Sequence, residues 1–344
     1  MRVIKMTIKV GILGMGFMGN CHFNAYKGVK KARITALCDC DGKKLRGDGG
    51  VAGNIGGAGQ KKNLAGMKTY SDASRLIADP GIDVVDITLP TYLHAKWTVR
   101  ALKAGKHVIC EKPMALSLSD ASRMVSAAHQ ARRQLFIGHC IRFWPAYDVA
   151  RQIIRTGRHG KVISAVFSRI SPRPTWSWKN WMMNPRLSGN AALDLHIHDA
   201  DFVLYLFGIP KSVCSHGAGS VRDGFEHIIT SYNFGTKPLV VAEGGWGYES
   251  KYPFSMIFRF AMEKASLAMH ADGKLMLYKP GRDPELVKVP AGDGYGRELV
   301  HFIECIGFGR KSKVVSPESA MLSVKLIEAE IKSAVTGKNV NFKR

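Results

Sequence analysis

The sequence predicts a two-domain protein: an α/β domain with a parallel, doubly wound sheet, followed by an α+β domain with an open, mainly antiparallel sheet. Three observations carry this. At 344 residues the chain is long for one domain and ample for two, each able to bury a core. From Thr7 to Gln134, short apolar runs alternate with helix-like segments, the pattern of β-α-β units. After about Trp144, strand-like segments follow one another without helices between them, which calls for antiparallel pairing.

The apolar runs of the first domain fall at 8–13, 34–38, 84–88, 107–110 and 135–137, and the helical segments between them at 17–27, 72–78, 94–104 and 119–131. Ser71 and Ser119 are N-cap candidates, and Gly105 stands where a helix should stop. The stretch 41–66 holds nine glycines and no periodicity, so a long surface loop is expected there. The second domain should open with a helix (147–156) and a strand (162–170). A Trp-rich loop, a helix (191–207), further strands and two closing helices (296–307 and 317–335) complete it. The expected boundary divides 1–143 from 144–344, with the C-terminal helix able to pack back on the first domain.

With 46% hydrophobic and 22% charged residues, the composition is that of a globular protein, outside the disordered and collagen-like classes. No stretch approaches the ~20 apolar residues that span a bilayer. The basic, apolar start contains Lys9 and runs into a glycine loop, against a secretory leader. The seven scattered cysteines form no C-x-x-C pair and read as thiols of a reducing compartment, hence the cytoplasm. The net charge of +23 is spread out: residues 1–140 carry 22 Lys and Arg against 9 Asp and Glu, and the rest 28 against 18. Nucleic-acid proteins concentrate such charge, so a basic surface that draws in anionic cofactors is expected instead.

Directly after the first run stands Gly14-Met15-Gly16-Phe17-Met18-Gly19, a G-x-G-x-x-G that opens a helix. The first glycine permits the tight turn, the second a close approach of backbone to a pyrophosphate, and the third close helix–strand packing. The second run ends in Asp39, twenty residues after Gly19, a spacing that sets a carboxylate on ribose hydroxyls. Together these predict a Rossmann domain and NAD, whose free 2′-hydroxyl a carboxylate accepts. Lys43, Lys44 and Arg46 close by leave NADP open.

Three further segments are Thr88-Leu89-Pro90 with His94, Glu111-Lys112-Pro113, and Asp194-Leu195-His196-Ile197-His198-Asp199. With the fingerprint and the segment from Gly138 to Pro145, which contains Arg142, they make the chain resemble the Gfo/Idh/MocA family of oxidoreductases along nearly its whole length. The resemblance implies that Gly14, Gly16, Phe17, Met18, Gly19, Asp39, Thr88, Pro90, His94, Glu111 and Lys112 line the cofactor. It also implies that Lys112 hydrogen-bonds the reacting oxygen with Glu111 in support, that Pro113 is cis, and that the second sheet mediates a dimer or tetramer.

A lysine ammonium beside a developing alkoxide stabilises its charge during hydride transfer. Asp194 and His198 stand four apart on a predicted helix and so share a face. His198 can accept the hydroxyl proton, with Asp194 orienting it, whereas His196 should point away and is given no role. Asp194, His198 and Asp201 at i, i+4 and i+7 could also converge on an ion, but Lys112 makes a metal unnecessary, and none is expected. The polar loop 172–181 carries Trp176, Trp178 and Trp181, with Lys179 and Asn180. Aromatic faces stack on sugar rings, so Trp176, Trp178, Lys179, Asn180 and Arg142 are expected to bind substrate with Asp194 and His198; Trp anchoring the loop or filling an oligomer contact is the competing reading.

The function expected is hydride transfer between nicotinamide and a secondary hydroxyl or ketone of a sugar, sugar acid or cyclitol. Two alternatives stand beside it: an NAD-dependent glycosidase working by transient oxidation, and a non-catalytic ligand sensor or regulator on the same fold.

Overall fold

The computed structural model describes residues 7–47, 53, 63–219, 224–236 and 238–343. Its strands are β1 (Ile8–Leu13), β2 (Ala32–Cys38), β3 (Lys68–Tyr70), β4 (Val84–Ile87), β5 (His107–Glu111), β6 (Leu135–Gly138), β7 (Val162–Pro172), β8 (Ser212–Ala218), β9 (His227–Asn233), β10 (Leu239–Tyr248), β11 (Ser255–Met262), β12 (Ala265–Met269), β13 (Leu275–Tyr278), β14 (Glu285–Leu286) and β15 (Val340–Asn341). The helices are α1 (Phe17–Ala25), α2 (Ala73–Ala78), α3 (His94–Lys103), α4 (Leu118–Ala131), α5 (Pro145–Arg155), α6 (Pro185–Ser188), α7 (Asn190–Asp194), α8 (Ile197–Phe207), α9 (Gly294–Gly307) and α10 (Pro317–Thr336).

The chain divides into two compact units. The first holds residues 1–140, 176–181 and 294–321, and the second 141–175, 182–293 and 322–344. The Trp-rich segment and α9 thus fall in the first unit, where a single cut at 143/144 would have left them in the second.

The first unit is built on a six-stranded parallel sheet in the order β3-β2-β1-β4-β5-β6. Strand order reverses between β1 and β4, the point in such sheets where a crevice opens beyond the carboxyl ends. The central strands are apolar on both faces, as burial by helices on both sides requires, with Val84, Val85, Val108 and Ile109 fully buried. Phe302 of α9 stacks on Phe136 of β6, with centroids 4.7 Å apart. Two helix starts differ from expectation. Asp72 caps α2 by accepting the Ser74 N–H, and Ser117 caps α4 by accepting that of Asp120. Strand β3 was not expected: three residues of Lys-Thr-Tyr at a sheet edge carry no apolar alternation. Most of the glycine-rich stretch lies outside the described residues.

The second unit holds a nine-stranded sheet, β14-β13-β12-β11-β7-β10-β9-β8-β15. All its pairings are antiparallel except β7 with β10. The buried face of β7 and β11 presents Phe167, Phe258 and Phe260, against which Phe202 of α8 and Tyr147 of α5 pack edge to face.

Within this apolar layer sit full charges. Arg169 of β7 donates from Nε and Nη2 to the two carboxylate oxygens of Asp199 (2.7 and 3.1 Å), and Arg142 does the same to Asp201 (2.8 and 2.6 Å). Both aspartates are fully buried and both arginines nearly so. Ser323 of α10 donates a further bond to Asp201 at 2.7 Å. Removing one partner strands a buried charge, whereas removing both leaves apolar surface. Arg169→Met is therefore expected to destabilise the protein by about 3–5 kcal/mol, and Arg169→Met with Asp199→Leu by clearly less, read from urea unfolding midpoints.

Candidate active site

The fingerprint forms the turn its glycines imply. Gly14 has φ +103°, and a Cβ there would stand 2.9 Å from the Thr88 carbonyl oxygen. A Cβ on Gly19 would overlap the Gly14 carbonyl oxygen at 1.9 Å, so this position closes helix against strand. Among the described residues, a Cβ on Gly16 would meet nothing within 4 Å. The fold leaves room there, at the N-terminus of α1, where unpaired N–H groups and the positive end of the helix dipole suit a phosphate.

Asp39, at the end of β2, lies beside this loop: its carboxylate accepts the N–H of Met15 at 2.7 Å and of Asp41 at 2.9 Å, and Lys44 Nζ stands 3.4 Å away. Thr88, after β4, donates its hydroxyl to the Gly14 carbonyl at 2.6 Å. Open space at Gly16, donors at a helix end and a carboxylate at the adjacent strand end together fit a dinucleotide.

Some residues expected to touch the cofactor do other work. His94 is buried, with Nδ1 2.8 Å from the Pro113 carbonyl oxygen and Nε2 2.7 Å from that of Leu89. It braces two loops against each other, and burial pulls its pKa down. Glu111 is also buried, facing His22 with Oε1 (2.9 Å) and accepting the Lys112 N–H with Oε2 (3.1 Å). Burial alone would raise the Glu111 pKa, but the His22 imidazole outweighs it and the carboxyl stays ionised. Lys112 itself is half-buried at the end of β5, between buried Glu111 and Pro113, and the peptide joining it to Pro113 is cis, as expected.

The Trp-rich segment also differs from expectation. Trp176 packs on Phe17 of the glycine loop, with ring centroids 5.6 Å apart, so that ring anchors its segment to the fingerprint. Trp178 remains exposed, with Lys179 Nζ 4.8 Å over its ring, and Lys179 and Asn180 are exposed as well. Pro90 and Met18 are half-buried beside the loops that carry them.

In the second unit, Asp194 and His198 do not sit on one continuous helix. Helix α7 ends at Asp194 and α8 begins at Ile197; between them the N–H groups of Leu195 and His196 both reach the Ala191 carbonyl, at 3.0 and 2.8 Å. A five-residue reach of this kind is a π-type bulge, which re-aims side chains relative to a regular helix. His198 is half-buried, while every other residue from 190 to 204 is buried. His196, given no role above, is fully buried with Nε2 2.9 Å from Glu330 Oε2 of α10. A Cβ on Gly244 of β10 would come within 2.7 Å of the His196 Cβ, so this glycine lets the bulge seat on the sheet.

The segment 194–201 is thus pinned through His196, Asp199 and Asp201. Arg142, expected to bind substrate, is instead committed to Asp201, as is the aspartate to Arg142 and Ser323; this also removes Asp201 from any ion-binding trio with Asp194 and His198. Sequence reasoning passed over His22, Asp86 and Arg169. Their signal was a charged or ionisable residue inside an otherwise apolar element.

Known proteins match the chain in both of its parts. A family model described as "Oxidoreductase family, NAD-binding Rossmann fold" matches residues 8–139, and the "GFO/IDH/MocA C-terminal domain" matches 147–268. A 1,5-anhydro-D-fructose reductase of Ensifer adhaerens is 37% identical over 164 residues, 46% of this chain and 49% of that protein. A myo-inositol 2-dehydrogenase of Thermotoga maritima is 30% identical over 202 residues, 58% of this chain and 55% of that one. The matched region spans about half the length of each of these relatives. The fold of a levoglucosan dehydrogenase, solved with NADH and levoglucosan, superposes over 98% of this chain and 100% of that one with a TM-score of 0.83 at 20% identity.

The two glycines make separable demands. Gly16→Ala is expected to leave the thermal midpoint within about 1 °C and weaken NADH binding at least about tenfold, since no described residue fills that space. Gly19→Ala is expected to lower both. Differential scanning fluorimetry with NADH titration checks the pair.

Proposed function

The chain belongs to the Gfo/Idh/MocA family of NAD-binding oxidoreductases, and from that premise we propose that it transfers a hydride between nicotinamide and a secondary hydroxyl or ketone of a sugar, sugar acid or cyclitol. The observation that carries this reading is Lys112 at the carboxyl end of β5. It stands at the carboxyl ends of the strands, where the glycine loop and Asp39 also lie, and β5 is the neighbour of β4, whose border with β1 is where the strand order reverses. Ligands of doubly wound sheets bind at those ends.

Gly14, Gly16 and Gly19 with the start of α1 would hold the pyrophosphate, Asp39 the adenosine ribose, and Thr88 the shape of the loop. Phe17, Met18 and Pro90 would complete the lining. NAD, when bound, supplies the hydride acceptor or donor. The Lys112 ammonium donates a hydrogen bond to the substrate oxygen and stabilises the charge that grows on it. His198 takes the hydroxyl proton during oxidation and returns it during reduction, and Asp194 orients it. Trp178, with Lys179 and Asn180, offers an exposed aromatic face and polar groups suited to a polyhydroxylated ring. The sugar and cyclitol names of the relatives support this substrate class.

A homo-oligomer and a cytoplasmic setting belong to the same proposal. Leu239 and Ile229 are exposed on the large sheet, and all seven cysteines are free thiols. Among the described residues no helix is long and apolar enough to cross a membrane.

Screening sugars, sugar acids and inositols with NAD and NADP, and following nicotinamide absorbance, tests the reading. At least one polyol is expected to be turned over. Lys112→Met should lower kcat by about a hundredfold or more, as loss of an oxyanion donor does, and His198→Asn by a comparable factor near neutral pH. A Lys112→Met enzyme of undiminished kcat would refute the assignment.

A further inference from the structure

Behind Lys112 lies a group of charges that the reaction does not touch. His22, on the first turns of α1, is fully buried. Its Nδ1 is 2.9 and 3.1 Å from the two carboxylate oxygens of Asp86 on β4, and its Nε2 is 2.9 Å from Glu111 Oε1 on β5. The other Glu111 oxygen accepts the backbone N–H of Lys112. A Cβ on Gly138 of β6 would stand 3.1 Å from Glu111 Oε1, so glycine there leaves the carboxylate its room. A chain of contacts therefore runs from the phosphate-binding helix to the lysine: α1, His22, Glu111, Lys112.

Both partners of the ring are carboxylates and can only accept. A neutral imidazole has one N–H and could satisfy one of them; the imidazolium satisfies both. Burial by itself disfavours the charged ring, but Asp86 and Glu111 outweigh it and hold the His22 pKa well above the ordinary histidine value. Among the described residues, the other ionisable groups near the ring and its two carboxylates include Tyr26 after α1, Tyr295 and Glu298 of α9, and Cys110 of β5; burial pushes both tyrosines and the thiol up, so they stay neutral. His22, Glu111 and Glu298 also lie close enough to share a cation. The commitment of both ring nitrogens to carboxylates favours a proton over a metal in that role.

We propose that His22 is a positioning residue for Lys112: protonated and held by Asp86, it fixes the Glu111 carboxylate, which in turn fixes the strand end that aims the lysine. This rests on Lys112 being the group that acts on the substrate oxygen. A buried ion triad that merely stabilised the fold would alter the unfolding midpoint and leave the turnover of folded enzyme unchanged.

The test uses His22→Gln, Glu111→Gln and the double variant of the full chain. In each single variant kcat is expected to fall about tenfold to a hundredfold, the cost of a misaimed catalytic group, with NADH affinity and sugar KM within about threefold. The double variant should be no worse than the worse single one, because the two residues act as a unit. Undiminished kcat in the folded single variants, or losses that multiply in the double, would overturn the proposal.

Should wild type turn over no sugar, the function reading fails, and labelling decides the positioning separately. The rate of Lys112 modification by trinitrobenzenesulfonate, followed against pH by peptide mass spectrometry, should shift to higher pH in His22→Gln, since Glu111 loses the cation that neutralises it. An unchanged profile would count against the tie. If the variants do not fold, nitrogen NMR of wild-type histidines should show both His22 ring nitrogens protonated at about pH 7.5, above the ordinary histidine pKa. A neutral His22 ring, or stoichiometric metal in the purified protein, would overturn it.

Discussion

Charges buried where water cannot reach them fix the segments proposed to carry the chemistry. Arg169 and Asp199, like Arg142 and Asp201, meet through two parallel hydrogen bonds each, inside a layer otherwise built from phenylalanine and tyrosine. A carboxylate moved from such a site without its arginine has nowhere favourable to go, so the register of α8 against β7 and the 140–143 turn is fixed. His196 with Glu330 adds a third tie two residues from His198. Apolar packing could hold a helix against this sheet, but it would tolerate small slips; paired charges do not. His198 projects from a segment whose other residues are all buried, so the backbone that aims it has little freedom.

The first unit applies the same rule with different parts. Its strand order brings the ends of β1, β4 and β5 side by side, and each end is tied to a neighbour by a polar side chain. Thr88 ties to the glycine loop, His94 to the Leu89 and Pro113 carbonyls, and Glu111 to His22 and to the Lys112 amide. The glycine loop is closed by Gly19 and, among the described residues, leaves open space at Gly16. Residues that resemble ligand contacts in sequence are largely the frame in which Gly16, Asp39 and Lys112 are presented.

The fold was legible because its determinants are local. Apolar runs of strand length, glycines at fixed spacing and the switch from alternating to consecutive strands are visible without tertiary information, and both sheets follow from them. Edge strand β3 escaped because three polar residues pair by backbone alone. The helix carrying Asp194 and His198 read as continuous because a π-type bulge has no composition of its own; what allows it is Gly244, fifty residues away. Arg142, His94 and Trp176 were read as ligand contacts because residue type shows what a group can bind, whereas only folding shows that Asp201, two carbonyls and Phe17 reach them first. His22 and Arg169 were missed for the converse reason, since a charged residue in an apolar element is meaningful only once its buried partner is known.

In the proposed reaction hydrogen passes directly between a carbon of the polyol and nicotinamide. Isotope transfer tests it most directly: a polyol deuterated on all its carbons is oxidised by the holoenzyme in ordinary water, and the reduced nicotinamide is analysed by mass spectrometry and NMR. A single deuterium is expected at the C4 position of every reduced nicotinamide formed. Reduced cofactor carrying only solvent hydrogen, or product formed with no label ever reaching nicotinamide, would contradict it.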